Sequence, residues 1–201
     1  YFSLCRITDW PSIGEQLVRL SCKLVQWIAP QLGFANYYSY RYFEKEFPFT
    51  FVRSTLRIDA GDCGGAVIDF QGNLRGMLLH ALPDTQETFY MPTGALDRVF
   101  QDLLLYGRVR YSYAGLATET VFDQQRQALC LRVREVIPGS PAEKSGFSKE
   151  DILMERNGEP IGSIEAFKNF MFLSKPNDCI LFTLLRGGKT IRLPLRLSEK
   201  K

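Results

Sequence analysis

Short alternating or apolar runs fill residues 1–92. Phe2-Ser3-Leu4-Cys5-Arg6-Ile7 alternates, Gln16-Leu17-Val18-Arg19-Leu20 has the same character, and Lys23-Leu24-Val25-Gln26-Trp27-Ile28 runs up to Pro30. The aromatic-rich stretch from Tyr37 to Phe51 holds one or two further strands. Val67-Ile68-Asp69-Phe70 leads into a Gln71-Gly72-Asn73 turn, and another run follows from Leu74 to His80. Apolar side chains at a period of two suit one buried face of a sheet. Runs this short, punctuated by Gly, Pro and Asn, predict a barrel or sandwich.

The period changes at Pro92. Thr93 stands where a helix cap belongs. Leu96, Val99, Phe100, Leu103 and Leu104 recur with the spacing of a single buried stripe, and Gly107 supplies the stop. With Arg108-Val109-Arg110 this helix reads as a connector over 93–110, between a domain over 1–92 and a second over 111–201. In the second domain Leu129, Leu131 and Val133 alternate as a strand. Ser140-Pro141-Ala142-Glu143 is a capping box with proline at the first helical position, and Gly146 ends that short helix. Asp151 to Arg156 is a strand before the tight-turn signal Asn157-Gly158. Ser163 caps a longer helix with Ile164, Phe167, Phe170 and Met171 on one face. Cys179 to Leu185 and Thr190 to Leu197 are strands joined around Gly187-Gly188.

Composition narrows the function classes. A net charge of +3 over 201 residues, with no basic run, does not point to a nucleic-acid partner. No apolar stretch approaches the roughly 20 residues of a membrane-spanning helix. The first residue is Tyr1, so room is left for an upstream segment, including a signal or transit peptide. Five cysteines without a CxxC spacing suggest neither a zinc site nor a disulfide framework, and no cofactor is expected. Cys5, Cys22, Cys130 and Cys179 lie in strand-like runs and are expected to be buried thiols. Cys63 has a different setting.

From Val136-Ile137-Pro138-Gly139-Ser140-Pro141-Ala142-Glu143-Lys144-Ser145-Gly146-Phe147, through Glu150-Asp151-Ile152-Leu153 and Asn157-Gly158, to Arg186-Gly187-Gly188-Lys189, the second domain resembles a PDZ domain of the bacterial and organellar type. PDZ domains take peptides as an added strand and capture the terminal carboxylate on main-chain amides. The resemblance places that loop at Tyr113-Ala114-Gly115-Leu116, where glycine lets the N–H groups turn inward. The helix from Ser163 to Leu173 would form the other wall, with Phe167 and Phe170 either lining the groove or belonging to the core.

Gly61-Asp62-Cys63-Gly64-Gly65-Ala66-Val67 resembles the nucleophile loop Gly-Asp-Ser-Gly-Gly-Pro of chymotrypsin-fold proteases. Asp69-Phe70-Gln71-Gly72-Asn73-Leu74-Arg75-Gly76-Met77, Met91-Pro92 and Tyr106-Gly107-Arg108-Val109 continue as the HtrA/Deg proteases do. The resemblance implies a mainly β chain: the C-terminal half of a chymotrypsin-like double β-barrel followed by a PDZ domain. Cys63 then stands at the nucleophile position, with the Gly61 and Cys63 amides as oxyanion donors. The alternative for Cys63 is a free cysteine in a decayed site. Asp62 falls where trypsin-like enzymes carry the aspartate tied to zymogen activation by a freed N-terminus; the alternative for it is a hydrogen bond within the loop.

Other positions depart from the pattern. The family order is histidine, aspartate, nucleophile, yet His80, the single histidine, follows Cys63. It reads as a subsite residue or a surface imidazole. Tyr1 falls where the catalytic aspartate would stand. Arg57 is either the base of a specificity pocket or an exposed cation. Half of a double barrel would also expose an apolar face. Two functions follow: an HtrA-like PDZ-containing endopeptidase, catalytically incomplete in this chain, or a pseudoprotease scaffold whose PDZ domain binds peptides or partner C-termini. The resemblance further implies peptide or unfolded-protein segments as partners, a homo-oligomer or larger assembly, and a bacterial envelope or organellar compartment.

Overall fold

A computed structural model describes residues 11–20, 22–23, 26–27, 31–42, 45–57, 61–82, 87–123 and 127–200. The chain divides into two compact units, the first ending at Val109 and the second starting at Arg110.

The first unit is built on a closed antiparallel barrel. Its elements are β1 (Gln16–Leu20), β2 (Cys22–Lys23), β3 (Gln26–Trp27), β4 (Gln31–Tyr42), β5 (Lys45–Ser54), β6 (Ala66–Ile68), β7 (Leu74–Leu82), β8 (Glu87–Pro92) and α1 (Thr93–Tyr106). Around the barrel the order is β1-β4-β5-β8-β7-β6, closed by the pairing of β6 with β1, while β2 and β3 form a small separate hairpin. Leu17, Ala35, Val52, Leu56, Val67, Leu78 and Tyr90 fill the interior. Closure satisfies the main-chain groups without leaving an edge. The long strands β4 and β5 account for the aromatic-rich stretch, and Phe47, Phe49 and Phe51 on β5 meet edge to face, with centroids 4.8–6.3 Å apart.

Helix α1 differs from its sequence pattern. It packs against β7 and β8, but its buried residues are Thr93, Gly94, Ala95, Arg98 and Asp102. Phe100, Leu103 and Leu104, expected to be buried, are 60%, 49% and 67% exposed. Arg98 and Asp102, one turn apart, close into an ion pair at 2.5 Å and enter the packed face as a neutralised unit. The cap also differs. Pro92 is the N-cap residue, and the Thr93 hydroxyl donates to the Leu74 carbonyl at 2.8 Å instead of capping. Gly107 is the left-handed stop, its N–H donating to the Leu103 carbonyl. Ile13, Leu32 and Phe34 add to the exposed apolar surface of this unit. No helix among the described residues is long and apolar enough to cross a membrane.

The second unit comprises β9 (Ser112–Tyr113), β10 (Leu116–Asp123), β11 (Ala128–Val136), α2 (Pro141–Lys144), β12 (Ile152–Arg156), β13 (Glu159–Pro160), α3 (Ile164–Leu173), β14 (Cys179–Arg186), β15 (Lys189–Arg196) and β16 (Ser198–Glu199). Its main sheet runs β10-β11-β12-β14-β15, with β13 on β12 and a short β16–β9 ladder apart. The local signals act as the sequence suggests. Ser140 Oγ accepts from the Glu143 N–H, and the Glu143 carboxylate accepts from the Gly139 N–H at 2.7 Å. Ser163 Oγ accepts from the Ala166 N–H at 3.1 Å. Asn157 and Gly158 both take positive φ, as a two-residue hairpin turn of this twist requires.

Leu131, Val133, Phe147, Leu153, Phe167, Phe182, Leu184 and Leu195 belong to the core of this unit. Cys130 is buried, but Cys179 is exposed, contrary to expectation: the alternation of β14 turns it outward with Leu181. Cys5 and the Cys22 side chain lie outside the described residues. The Asp151 carboxylate is fully buried and takes Arg186 through two nitrogens, at 2.6 and 2.8 Å, plus the Ser148 N–H at 2.9 Å.

Two outcomes follow for stability. Asp151→Asn removes a charge-assisted fork and should destabilise the second unit by about 2 kcal/mol. Hydrogen exchange at Val133 and Leu184 should show it while exchange at Val52 and Leu78 in the first unit stays unchanged. In the turn before β7, burial by itself would raise the pKa of Asp69. Hydrogen bonds from the Asn73 side chain, the Asn73 and Gln71 N–H groups, and the charge of Arg75 instead hold it below the usual carboxylate value. A depressed folded-state pKa stabilises above the unfolded value and is lost as pH falls through the folded one. Asp69→Asn should therefore be less stable than the parent at pH 7. In acid denaturation curves that difference should shrink below about pH 4.

Candidate functional site

The loop Tyr113–Leu116 is held from one side. The Ala114 carbonyl accepts from the Ala142 N–H and the Gly115 carbonyl from the Ile137 N–H, each at 2.9 Å, so both carbonyls turn toward α2 and the segment before it. In a trans peptide the next N–H points the opposite way. The Gly115 and Leu116 N–H groups therefore face away from α2. Leu116 stands opposite Val136, and the bond from Ile137 to Gly115 makes this a non-hydrogen-bonded pair, with the Leu116 N–H directed to the free edge of β10. Among the described residues Ala114 and Gly115 donate no main-chain hydrogen bond. Gly115 has φ +80°, and an added Cβ would lie 2.1 Å from the Ser140 Cβ, so no other residue fits without displacing α2.

Helix α3 flanks this edge. Ser112 Oγ donates to the Met171 carbonyl at 2.7 Å, and Tyr111 packs on Phe172. At the other end of the helix, Ile164 and Glu165 border a space of about 160 Å³ with Thr120, Leu129 and Leu131. The helix thus runs beside β10 in the opposite sense. Of the two aromatic candidates, Phe167 is 7% exposed within the core and contacts Phe182. Phe170 is half-buried, with the Arg156 guanidinium 4.3 Å from its ring centroid. Thr120 and Ile164 were not singled out from sequence as groove residues. The mixed run Leu116–Asp123 lacks the clean alternation that would have marked β10 as a strand.

The Cys63 loop sits at one end of the barrel. Gly61 and Gly64 take positive φ, which shapes the turn. The Gly64 N–H donates to the Leu78 carbonyl at 2.8 Å, the Gly65 N–H to the Asp62 carbonyl at 3.0 Å, and the Leu78 N–H to the Gly65 carbonyl at 2.9 Å. A Cβ on Gly65 would come within 2.9 Å of the Asp62 carbonyl and 3.1 Å of the Leu20 carbonyl. The Cys63 thiol is exposed, and the Gly61 and Cys63 N–H groups donate to no main-chain carbonyl among the described residues. Asp62 is buried and pairs with Arg19 of β1.

His80 lies on β7 two positions beyond Leu78, past a bulge, opposite Phe89 and half-buried. Arg57 is exposed after the end of β5. Tyr1 lies outside the described residues. Arg19 escaped sequence reading, although a charge in the same strand phase as Leu17 was a usable signal. Among the described residues no group of three or more His, Cys, Asp or Glu side chains is placed to hold a metal ion.

Comparison with known proteins agrees with this architecture. The PDZ domain family matches residues 117–197. The chain is 28% identical over 162 residues to the periplasmic serine endoprotease DegP of Escherichia coli, covering 74% of this chain and 34% of that protein. It is 26% identical over 155 residues to the serine endoprotease DegS of Haemophilus influenzae, covering 74% and 45%. A DegP-like probable periplasmic serine endoprotease of Chlamydia pneumoniae is 25% identical over 161 residues, covering 74% and 33%. The chain thus spans between a third and a half of the length of these relatives. Among solved structures, the HtrA-type protease AlgW with a tripeptide superposes with a TM-score of 0.72 at 18% identity, covering 100% of this chain and 69% of that one, a likeness of fold. With a closed six-stranded barrel, a second unit that matches the PDZ domain family and these relatives together, the chain is similar to the PDZ-containing HtrA/Deg proteases.

Proposed function

We propose that the second unit binds extended peptides by their free C-termini, within an HtrA-like endopeptidase whose nucleophile position is held by Cys63. The observation that carries the peptide reading is the pair of outward N–H groups at Gly115 and Leu116, on a sheet edge flanked by α3. A peptide strand laid along β10 brings its terminal carboxylate to these amides, which need an acceptor. The AlgW structures bound to a tripeptide and to a decapeptide support the same use of this fold.

On the protease side, the exposed Cys63 thiol would attack a peptide carbonyl. The Gly61 and Cys63 N–H groups, free of main-chain acceptors among the described residues, would receive the developing oxyanion. A general base and its orienting carboxylate would come from residues preceding this chain, so the chain by itself is catalytically incomplete. Assembly as a homo-oligomer belongs to the same reading. A pseudoprotease is the second reading, favoured by the position of the single histidine on β7, after Cys63 rather than before it.

Gly115→Ala should weaken binding of a seven-residue peptide with an apolar C-terminal residue by about tenfold or more, as measured by fluorescence anisotropy. Amidating the peptide's C-terminus should weaken binding to the parent protein comparably, and equal affinity for the acid and the amide would refute carboxylate capture. For Cys63, a peptidyl thiol-reactive electrophile should modify it selectively over Cys130 and Cys179 in the full-length protein, followed by mass spectrometry. Modification no faster than that of exposed Cys179 would favour the pseudoprotease.

A further inference from the structure

We propose that Arg19 is a positioning residue for the Cys63 loop, acting as an internal counter-ion that holds Asp62 and thereby the turn Gly61–Gly65. The inference rests on reading that turn as the nucleophile loop. Arg19 lies on β1 directly opposite Val67, in the same inward phase as Leu17, and is 1% exposed. Its guanidinium therefore reaches the end of the barrel from inside. There it meets the Asp62 carboxylate, whose side chain is fully buried. Nε and Nη2 of Arg19 have no other hydrogen-bond partner among the described residues. If Asp62 swung outward, a bare guanidinium would remain inside an apolar barrel, which is strongly unfavourable. The pair thus gives the loop a restoring force where main-chain bonds alone are few.

Two further contacts carry that restraint to Cys63. The Asp62 carbonyl accepts from the Gly65 N–H, and the Gly65 position is pressed between the Asp62 and Leu20 carbonyls, leaving no room for a side chain. With Asp62 fixed on one side and Gly64 bonded to Leu78 on the other, Cys63 is held at the crest between two anchored residues. In the proteases this loop resembles, the aspartate before the nucleophile is tied to activation by a freed N-terminus. Here Asp62 pairs with a side chain of the barrel, Arg19.

The test compares Arg19→Met and Arg19→Lys with the parent in the full-length protein. One readout is amide exchange at Gly64 and Gly65, the loop amides with main-chain acceptors, against Leu17 and Val67 in the core. The other is the rate of Cys63 modification by a peptidyl electrophile divided by its rate with iodoacetamide. Arg19→Met should speed loop exchange by about tenfold or more with core exchange unchanged, and lower the rate ratio similarly, while Arg19→Lys recovers most of both. Unchanged loop exchange in a folded barrel, or loop and core loosening together, would overturn the proposal. Should Arg19→Met fail to fold, Asp62→Asn is measured in its place and judged by the same two outcomes, since it keeps the side-chain shape and removes the charge. A parent Cys63 inert to the peptidyl electrophile would overturn the nucleophile reading instead, leaving the exchange comparison to decide the role of Arg19.

Discussion

Main-chain hydrogen bonding is the constraint from which both units take their shape. Every N–H and C=O withdrawn from water needs a partner, and the barrel meets this by closing β6 onto β1, so its ladder has no end. The turn carrying Cys63 is stitched to β7 by the bonds between Gly64, Gly65 and Leu78. The second unit leaves its main sheet open, with β10 and β15 as terminal strands. At β10 the unmet N–H groups of Gly115 and Leu116 become a resource: the two carbonyls beside them are committed to the α2 side, and α3 lies along the opening. A peptide binding there would complete the sheet.

Buried charge is the second constraint. Arg19 with Asp62, Arg98 with Asp102, and Arg186 with Asp151 each place a guanidinium against a carboxylate where hydrophobic patterning assigns an apolar contact or none. Isolated, a buried carboxylate would be expelled from the interior or lose its charge, and a buried guanidinium, which keeps its charge, would be expelled. Paired, they neutralise one another and fix geometry, because a guanidinium and a carboxylate meet in few orientations. The Asp151–Arg186 pair ties the start of β12 to the end of β14, and a further bond from Arg186 to the Gly146 carbonyl fastens the exit of α2. The Arg98–Asp102 pair lies on the packed face of α1, while Phe100, Leu103 and Leu104 face outward.

Most local signals in the chain were read correctly, Thr93 being an exception because its hydroxyl is taken by the Leu74 carbonyl. Ser140 and Ser163 cap their helices, Gly107 stops α1, and Asn157-Gly158 and Gly187-Gly188 turn their hairpins, since caps and tight turns are decided by neighbouring main-chain groups. The PDZ resemblance was legible for the same reason: its strands, caps and turns follow at fixed short spacings. The sequence pattern misled where a partner distant along the chain decided burial. Cys179 is apolar by type but outward by strand phase, and β10 is a mixed run that becomes a strand because β11 is there to pair with it.

The sequence by itself determined the architecture, a β-barrel that resembles that of the HtrA/Deg proteases followed by a PDZ domain, and it pointed to two candidate loops, Gly61–Gly65 and Tyr113–Leu116. Periodicity, caps and glycine positions are local properties, and they survive without knowledge of what packs against what. Tertiary structure alone decided which groups those loops present and what restrains them. The direction of the Gly115 and Leu116 amides depends on bonds to Ile137 and Ala142, and the setting of Cys63 depends on Arg19, 43 residues before Asp62. Such contacts form only when the chain closes on itself, so a pattern along the sequence can mark an inward charge but does not name its partner.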